Sequence, residues 1–306
     1  MFFYLRKMQF PPFPPSGSPA LIIAPARKVS QEEIAHSLSL LENAGFKPIF
    51  GKNLFGSHHQ FSGTHAGRLE DLQWALDYPE PALIVCARGG YGALPLLEKL
   101  NPAGIKKNPK WFCGFSDITV IHAWLQKQGL ASLHAPVLTT LGKDAESADC
   151  FFRFLSGKLP SYSFRNNSTA KNKSGEAEGI VKGGNLSLLY SLMGSPEFPD
   201  LKDCILFLED LDEYLYHIHR MMTALKRTGC FENLSGVVIG GMTEMKDNTI
   251  PFGKPAEEII AESLSAFSFP IAYGFPGGHG EKNFALPLGG RAKLEVEEKT
   301  AQLRFL

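Results

Sequence analysis

The fold is constrained most strongly by the alternation of short apolar runs with helix-like segments over the first half of the chain. Each run has the length of a buried strand, and each is followed by a segment in which apolar residues recur at helical spacing. Ser30, with Glu33 three residues later, has the pattern of a capping box at the start of one such helix. The predicted strands are 20–24, 47–50, 82–87 and 111–115, and the predicted helices are 30–43, 64–76, 93–100 and 118–128. This alternation predicts an α/β fold with a doubly wound parallel sheet covered on both faces.

The composition changes at residues 156–178, where Ser, Asn, Lys and Gly replace aliphatic residues. Such a stretch is typical of a connection between domains. We therefore expect a proline-rich, loose N-terminal arm over residues 1–17, a first domain over 18–155, a linker over 156–178 and a second, mixed α/β domain over 179–306. In that second domain the predicted strands are 204–208, 235–239, 270–274 and 292–296, and the predicted helices are 186–192, 218–227 and 256–264.

The charge and cysteine content exclude several classes of protein. Lys and Arg number 31, as do Asp and Glu, and no block of like charges indicates a nucleic-acid partner. No apolar stretch approaches the roughly 18 to 20 residues that cross a bilayer, and the first residues break into prolines before a signal-peptide core can form. The five cysteines are odd in number and include no C-x-x-C pair. We expect a soluble, cytoplasmic protein with reduced cysteines and no membrane partner.

Ser116 follows the apolar strand at 111–115 and directly precedes a predicted helix. A serine on a sharp strand-to-helix turn is exposed at the carboxyl edge of the sheet, where free amides of the first helical turn can stabilise an oxyanion. That is the geometry of a serine nucleophile. Ile118 stands in place of the last glycine of a G-x-S-x-G elbow, and the same pattern also fits a serine that only caps the helix.

A second loop, at residues 88–92, also follows a buried strand and has three glycines, Gly89, Gly90 and Gly92. Glycines let the backbone approach a ligand closely or adopt a positive φ, which suits an oxyanion hole or an anion-binding nest. The alternative is a tight turn between strand and helix. The pattern is not a dinucleotide-binding fingerprint, because the glycine spacing differs and no acidic residue follows about 20 residues later.

Two further segments could supply a base and the acid that orients it. Glu209 and Asp210 end an apolar strand, and His279 lies in a loop with four glycines. A histidine in such a loop has few neighbours to pack against, so a role in catalysis is favoured over a role in the core. The alternative for Glu209 is a carboxylate that caps the following turn.

A metal centre is not predicted, and neither is any cofactor. His217 and His219 lie close to Glu209, Asp210 and Asp212. Residues two apart face the same side of a strand, but this segment leads into a helix, where they diverge.

Six motifs follow one another along the chain: Phe61-Ser62-Gly63-Thr64 with Arg68, Cys86–Gly92, Gly114–Thr119, Gly183–Ser187, Glu209-Asp210 and Gly277–Gly280. Taken together and in this order, they resemble the LD-carboxypeptidase family of serine peptidases over residues 18–300. The resemblance implies a flavodoxin-like first domain, a smaller swivelling-type second domain and a Ser-Glu-His triad assembled across them. It implies that Ser116 is the nucleophile, Glu209 the orienting acid and His279 the general base. The backbone amides of Asp117 and of Gly90, or alternatively Gly89, would form the oxyanion hole.

The resemblance also implies an activity. Typical members remove the terminal D-alanine from muropeptide tetrapeptides in cytoplasmic cell-wall recycling, whereas relatives similar to the microcin C immunity protein cleave an aminoacyl-nucleotide antibiotic. The segment 209–216 is compact and has no added tryptophan-bearing loop, which favours the muropeptide enzyme. A homodimer is implied by the resemblance alone. The alternative from another class is a non-catalytic module that binds a nucleotide or carboxylate through the glycine loops.

Overall fold

The computed structural model describes residues 8–306, which divide into two compact units. Unit 1 contains residues 8–158 and 285–289, and unit 2 contains residues 159–284 and 290–306. The strands are β1 (Pro19–Ile23), β2 (Lys47–Phe50), β3 (Leu83–Cys86), β4 (Trp111–Gly114), β5 (Ser132–His134), β6 (Ser161–Arg165), β7 (Gly175–Asn185), β8 (Cys204–Leu211), β9 (Gly236–Thr243), β10 (Ile271–Tyr273), β11 (Leu286–Leu288), β12 (Arg291–Val296) and β13 (Thr300–Phe305). The α-helices are α1 (Gln31–Asn43), α2 (His65–Asp77), α3 (Ala103–Lys107), α4 (Thr119–Lys127), α5 (Leu138–Leu141), α6 (Ala145–Leu155), α7 (Leu186–Ser191), α8 (Leu215–Arg227) and α9 (Ala256–Leu264).

Unit 1 is built on a six-stranded sheet in the order β11-β5-β4-β3-β1-β2. All neighbouring strands are parallel except β11, which runs antiparallel to β5. Helices cover both faces of this sheet. The consecutive β4 residues Trp111 and Phe112 point to opposite faces, and each packs against a helix. The Trp111 ring packs against Phe154 of α6, and the Phe112 ring against His122 of α4. The predicted doubly wound parallel sheet is confirmed.

Unit 2 contains a seven-stranded mixed sheet in the order β10-β9-β8-β7-β12-β13-β6. The strands β10 to β7 are parallel, and the strands from β7 to β6 pair antiparallel. The helices α7, α8 and α9 contribute buried apolar residues to one core with β8, β9 and β10. This arrangement brings the carboxyl ends of β7, β8 and β9 to one edge, where ligands bind in open α/β sheets.

Local signals explain several helix boundaries. At α1 the Ser30 side chain accepts the Glu33 N–H and the Glu33 carboxylate accepts the Ser30 N–H, so the predicted capping box is present. The segment predicted as a helix over 93–100 is instead a 3-10 helix, Leu94–Lys99. It contains Pro95 and is followed closely by Pro102, and short segments bounded by proline favour 3-10 geometry over a full α-helix.

The predicted linker over residues 156–178 is wrong. That segment contains β6 and the first residues of β7, both of which belong to the sheet of unit 2. In β6, Tyr162 and Phe164 are buried between exposed residues. The alternation of an edge strand with one solvated face therefore gives the segment its polar composition. The second domain also does not extend unbroken to the end of the chain, because residues 285–289 return to unit 1 as β11.

The expectation of a loose N-terminal arm is wrong for residues 8–17; residues 1–7 lie outside the residues that the structure describes. Gln9 pairs with Leu130 in a parallel bridge. The rings of Phe10 and Phe13 pack against Trp111 at centroid distances of 5.2 and 5.7 Å. Aromatic side chains between the prolines therefore attach this segment to the core of unit 1.

None of the helices within residues 8–306 is both long enough and apolar enough to span a bilayer.

We predict that Phe13→Ala lowers the free energy of unfolding by about 2 kcal/mol, because a half-buried ring that packs against Trp111 and Phe154 is lost. Urea denaturation followed by tryptophan fluorescence measures the change. Phe55→Ala is the matched control, since its ring is 41% exposed, and it should change stability by less than about 1 kcal/mol. Equal small effects of both variants would restore the interpretation of a loose arm.

Candidate active site

Ser116 lies on a strained turn between β4 and α4. Its φ is +64°, in the left-handed region that residues other than glycine seldom adopt. The flanking Phe115 and Asp117 are buried, whereas Ser116 is partly exposed. A single 3-10 turn, Ser116–Ile118, leads from this position into α4. The strand-to-helix turn predicted from the sequence is therefore present, and strained backbone of this kind concentrates at active sites.

The alternative interpretation of Ser116 as the cap of the helix is wrong. Ile118 occupies the N-cap position of α4, and no side chain caps either the 3-10 turn or the helix. An N-cap residue normally has extended backbone, which the positive φ of Ser116 excludes. The hydroxyl of Ser116 therefore has no capping function in the fold.

The glycine loop approaches Ser116 so closely that only glycine fits. A Cβ atom on Gly89 would lie 2.9 Å from the Ser116 Cβ and 3.2 Å from its Oγ. Gly90 and Gly92 have φ values of +109° and +140°, which side-chain-bearing residues rarely adopt. A Cβ on Gly90 would also lie 2.7 Å from the Arg27 Cδ. The loop is thus a tight turn that brings its backbone beside the candidate nucleophile.

A buried histidine, His122, forms a hydrogen bond with the last residue of β4, two residues before Ser116. His122 Nε2 lies 2.9 Å from the carbonyl oxygen of Gly114, the last residue of β4, and Nδ1 lies 2.9 Å from the Ser132 Oγ. Burial lowers the pKa of His122 to about 3, so the ring is neutral. The carbonyl can only accept, and hence Nε2–H donates to Gly114 and the Ser132 hydroxyl donates to Nδ1. Sequence reasoning missed His122, because within the pattern of α4 it is one more inward-facing residue.

In unit 2 the structure brings together Glu209 and His279. Glu209 lies in β8 and is fully buried, and its Oε2 lies 2.6 Å from the His279 Nδ1. With the Nδ1–H donated to the carboxylate, the proton-accepting nitrogen of the neutral ring is Nε2. This contact fixes the orientation of the His279 ring. An acid, a base and a fixed tautomer are the arrangement that general-base catalysis requires.

Close backbone approach fixes the loop that carries His279. A Cβ on Gly278, which has a φ of +95°, would lie 2.5 Å from the Glu209 Oε2, so the loop passes directly over the carboxylate. The Gly278 N–H donates to the Asn283 Oδ1 at 2.9 Å, and the Gly241 N–H donates to the Gly277 carbonyl at the same distance. Gly240 and Gly241 of β9 lie at the bulge where the register with β8 shifts, and bulges of this kind often lie next to active sites.

Asp210 has a structural role that differs from that of Glu209. Its carboxylate accepts hydrogen bonds from the Asn185 side chain and from the Ser187 and Leu211 amides at 2.8 to 2.9 Å. Burial, followed by the charge of Glu209, raises the pKa of Asp210 to about 7. Asn185 in turn accepts the Leu188 N–H as the N-cap of α7. The Gly183–Ser187 motif therefore anchors the end of β7 to the strand that carries Glu209.

Burial and the neighbouring carboxylates shift the pKa of His279 in opposite directions. Burial acts to lower its pKa, but the charge and hydrogen bond of Glu209, with the charges of Asp210 and Glu244, outweigh burial, and the pKa is raised. Glu244 follows β9 in a second strained conformation, with a φ of +52°. The ring is therefore a stronger base than an ordinary histidine.

His217 and His219, which were considered as metal ligands, contact different side chains. His217 Nδ1 lies 2.8 Å from the Glu213 carboxylate, and the His219 ring packs 5.6 Å from that of Phe252. Within residues 8–306 no group of three or more His, Cys, Asp or Glu side chains is arranged to hold a metal ion.

Sequence comparison assigns both units to one family. The profile described as "LD-carboxypeptidase N-terminal domain" matches residues 21–135, and that described as "LD-carboxypeptidase C-terminal domain" matches residues 178–294. The two matches include Ser116 in the first unit and Glu209 and His279 in the second.

Individual relatives cover nearly the whole chain. The murein tetrapeptide carboxypeptidase of Pseudomonas aeruginosa is 31% identical over 289 residues, which are 90% of this chain and 92% of that protein. The microcin C7 self-immunity protein MccF of Escherichia coli is 27% identical over 312 residues, with coverages of 92% and 90%. The crystal structure of muramoyltetrapeptide carboxypeptidase from Oxalobacter formigenes superposes with a TM-score of 0.85 at 28% identity, covering 94% of this chain and 98% of that one.

We predict that Glu209→Gln moves the pKa of His279 from above its ordinary value near 6.5 to below it, because burial persists and the strongest counter-charge is removed. An NMR titration of the ring nitrogens measures the shift. Glu213→Gln, which removes the partner of His217 instead, is the control and should leave His279 unchanged. An unaltered His279 titration in Glu209→Gln would show that the carboxylate does not govern the charge of the ring.

Proposed function

Because the chain belongs to the LD-carboxypeptidase family and is a serine carboxypeptidase, we propose that it releases the C-terminal D-alanine from muropeptide tetrapeptides. The observation that carries the proposal is the left-handed conformation of Ser116 against the Gly89 backbone, because a strained, partly exposed serine without a capping function needs another reason to persist. The names of the relatives from Pseudomonas aeruginosa and Oxalobacter formigenes supply the substrate class.

In the proposed reaction Ser116 Oγ attacks the carbonyl carbon of the residue before D-alanine, and His279 Nε2 takes the hydroxyl proton. Glu209 accepts the Nδ1–H and stabilises the imidazolium that forms. The backbone amides of Asp117 and Gly90 donate to the oxyanion of the tetrahedral intermediate.

The second half of the reaction restores the enzyme. The C–N bond breaks as His279 gives its proton to the leaving D-alanine nitrogen, which leaves the shortened peptide esterified to Ser116. Water then attacks the ester, His279 takes a proton from it, and the peptide departs as a carboxylic acid while Ser116 regains its hydrogen.

Cleavage of an aminoacyl-nucleotide antibiotic is the alternative substrate class, since MccF is also a relative. All three tryptophans of the chain, Trp74, Trp111 and Trp124, lie in unit 1. The segment after Glu209 passes directly into α8, and Asp212 is held there by an ion pair with Lys246 at 2.6 Å. Unit 2 therefore offers no indole for stacking on a purine, which favours the muropeptide over the nucleotide.

A non-catalytic binding module is the third possibility, and the pairing of His279 with Glu209 argues against it. A module that only binds an anion through glycine amides needs no buried carboxylate at 2.6 Å from a histidine, whereas a hydrolase does.

We also propose a cytoplasmic homodimer that acts in cell-wall recycling. None of the five cysteines is joined to another by a disulfide bond, and burial raises the pKa of the Cys86 and Cys113 thiols, which suits a reducing compartment. The dimer rests on the family resemblance, and sedimentation equilibrium tests it.

We predict that Ser116→Ala reduces kcat for tetrapeptide hydrolysis by about a thousandfold or more, because acylation has lost its nucleophile. Release of D-alanine from the purified variant measures this effect, and circular dichroism checks that the fold survives. Ser39→Ala, on the exposed face of α1, is the control and should retain full activity. More than a tenth of wild-type activity in Ser116→Ala would rule out the proposed nucleophile.

We predict a strict order of substrates. The tetrapeptide should be cut to a tripeptide, whereas its C-terminal amide should react about ten- to a hundredfold more slowly, because charge-assisted hydrogen bonds to the carboxylate are lost. A pentapeptide ending in D-alanyl-D-alanine should remain intact, since the residue before the scissile bond has the wrong configuration to present its carbonyl. Preferential cleavage of an aminoacyl sulfamoyl adenosine would transfer the assignment to the immunity-type enzymes.

A further inference from the structure

Asp117 connects the two loops that meet at Ser116. It follows Ser116 directly and is fully buried. Its Oδ2 accepts the Ala93 N–H at 2.8 Å, and the neighbouring Gly92 amide acts to lower the pKa of the same carboxylate. Both amides belong to the end of the glycine loop whose other end, Gly89, touches Ser116. One carboxylate therefore links the nucleophile turn to the glycine loop.

Arg68 and Phe61 hold the same loop from another side. The Arg68 guanidinium lies 4.4 Å from the centroid of the Phe61 ring and donates to the Gly63 carbonyl at 3.2 Å. A Cβ on Gly92 would lie 3.0 Å from the Phe61 Cδ1, so the ring packs directly against the loop. Arg68 is 5% exposed, and its charge attracts the Asp117 carboxylate. The motif of Phe61 with Arg68, which the catalytic triad leaves unexplained, thus serves to fix Gly92.

We propose that Asp117 is a positioning residue whose ionised carboxylate holds the Gly89–Ala93 loop where its amides can donate to the oxyanion. The inference rests on the proposed function, because it assigns a role in the same site. The carboxylate touches neither the substrate nor the reacting atoms; it acts through the Ala93 amide at the end of the loop. A protonated Asp117 loses its attraction to the Arg68 charge and accepts the Ala93 N–H more weakly, because a hydrogen bond to an ionised acceptor is stronger than one to a neutral acceptor.

The groups that face Asp117 determine when it is ionised. Burial raises the pKa of Asp117 to about 6, against the Ala93 and Gly92 amides and the Arg68 charge, which all act to lower it. From β3 the Cys86 thiol also faces the carboxylate, and burial raises the pKa of that thiol well above its usual range, so it is neutral. Activity then requires the loss of two protons, one from His279 and one from Asp117.

The pH profile of the wild-type enzyme provides the first test. The logarithm of kcat/KM should rise with a slope of 2 below about pH 6 and with a slope of 1 above it, until His279 is neutral. In Asp117→Asn the slope should be 1 throughout, and kcat should fall about 10²- to 10³-fold with KM changed less than about threefold, as for the loss of an oxyanion donor. A slope of 1 in the wild type, or wild-type kcat in Asp117→Asn, overturns the inference.

Asp71→Asn is the matched control. Asp71 is also a buried aspartate of unit 1 with a pKa raised by burial, but its hydrogen bonds go to Asn53. The Asp71→Asn variant should change the free energy of unfolding without changing kcat or the slope of the pH profile of kcat/KM. An equal loss of kcat in Asp71→Asn would show that any buried aspartate has this effect and would refute a specific role of Asp117.

A fluorophosphonate probe separates this inference from the proposed function, because it reacts with an activated serine without any peptide. Labelling of Ser116 should be slowed in Asp117→Asn by about the same factor as kcat and should be unchanged in Asp71→Asn. If the wild type cuts no muropeptide but labelling is slowed only in Asp117→Asn, the proposed function fails and the inference stands. Equal labelling of wild type and Asp117→Asn overturns the inference alone.

Arg68→Gln tests the same role if Asp117→Asn does not fold. Loss of the positive charge raises the pKa of Asp117, so the change of slope in the pH profile should move to higher pH. A change of slope that stays in place would contradict the role of Asp117 in the acid limb.

Discussion

The left-handed backbone of Ser116 is the constraint on which the turn between β4 and α4 depends. A conformation of this kind costs about 1 to 3 kcal/mol in a residue other than glycine, so its surroundings must hold it in place. His122 fixes the end of β4 through the Gly114 carbonyl, and the absence of a side chain at Gly89 leaves the space that Ser116 occupies. Asp117, the next residue, attaches the same turn to the glycine loop. The same contacts therefore hold the strained backbone of Ser116 and place the backbone amides of the glycine loop beside it.

In unit 2 the group that needs support from its surroundings is a buried carboxylate, that of Glu209. A fully buried carboxylate such as Glu209 would be costly if it were isolated, and the His279 ring at 2.6 Å supplies its partner. Gly278 lets the loop pass over the carboxylate, and the bulge at Gly240 and Gly241 makes room for that loop on the edge of the sheet. The same contact that compensates Glu209 fixes the tautomer of the histidine, so stability and chemistry depend on one hydrogen bond.

Sequence patterns were sufficient where a local rule determined the outcome. The apolar runs at β1, β3 and β4 had to be buried, and the box at Ser30 fixed the start of α1. The patterns failed at β6, where one solvated face made a strand look like a linker, and at β11, whose three residues join a sheet more than 100 residues away in sequence. Turn and loop signals in the sequence point to Ser116, Glu209 and His279 as candidate site residues. The roles of His122 and of the Asp117 side chain depend on tertiary contacts that no periodicity reveals.

The proposed acylation of Ser116 is tested most directly by trapping the intermediate. A tetrapeptide analogue that ends in D-lactate presents an ester, which should acylate the enzyme faster than water can release the product. Intact-protein mass spectrometry after rapid acid quenching should show the mass of the tripeptide acyl group added to the chain, and digestion should place it on the peptide that contains Ser116. Steady release of D-lactate with no adduct, or with an adduct on a different residue, would contradict the account.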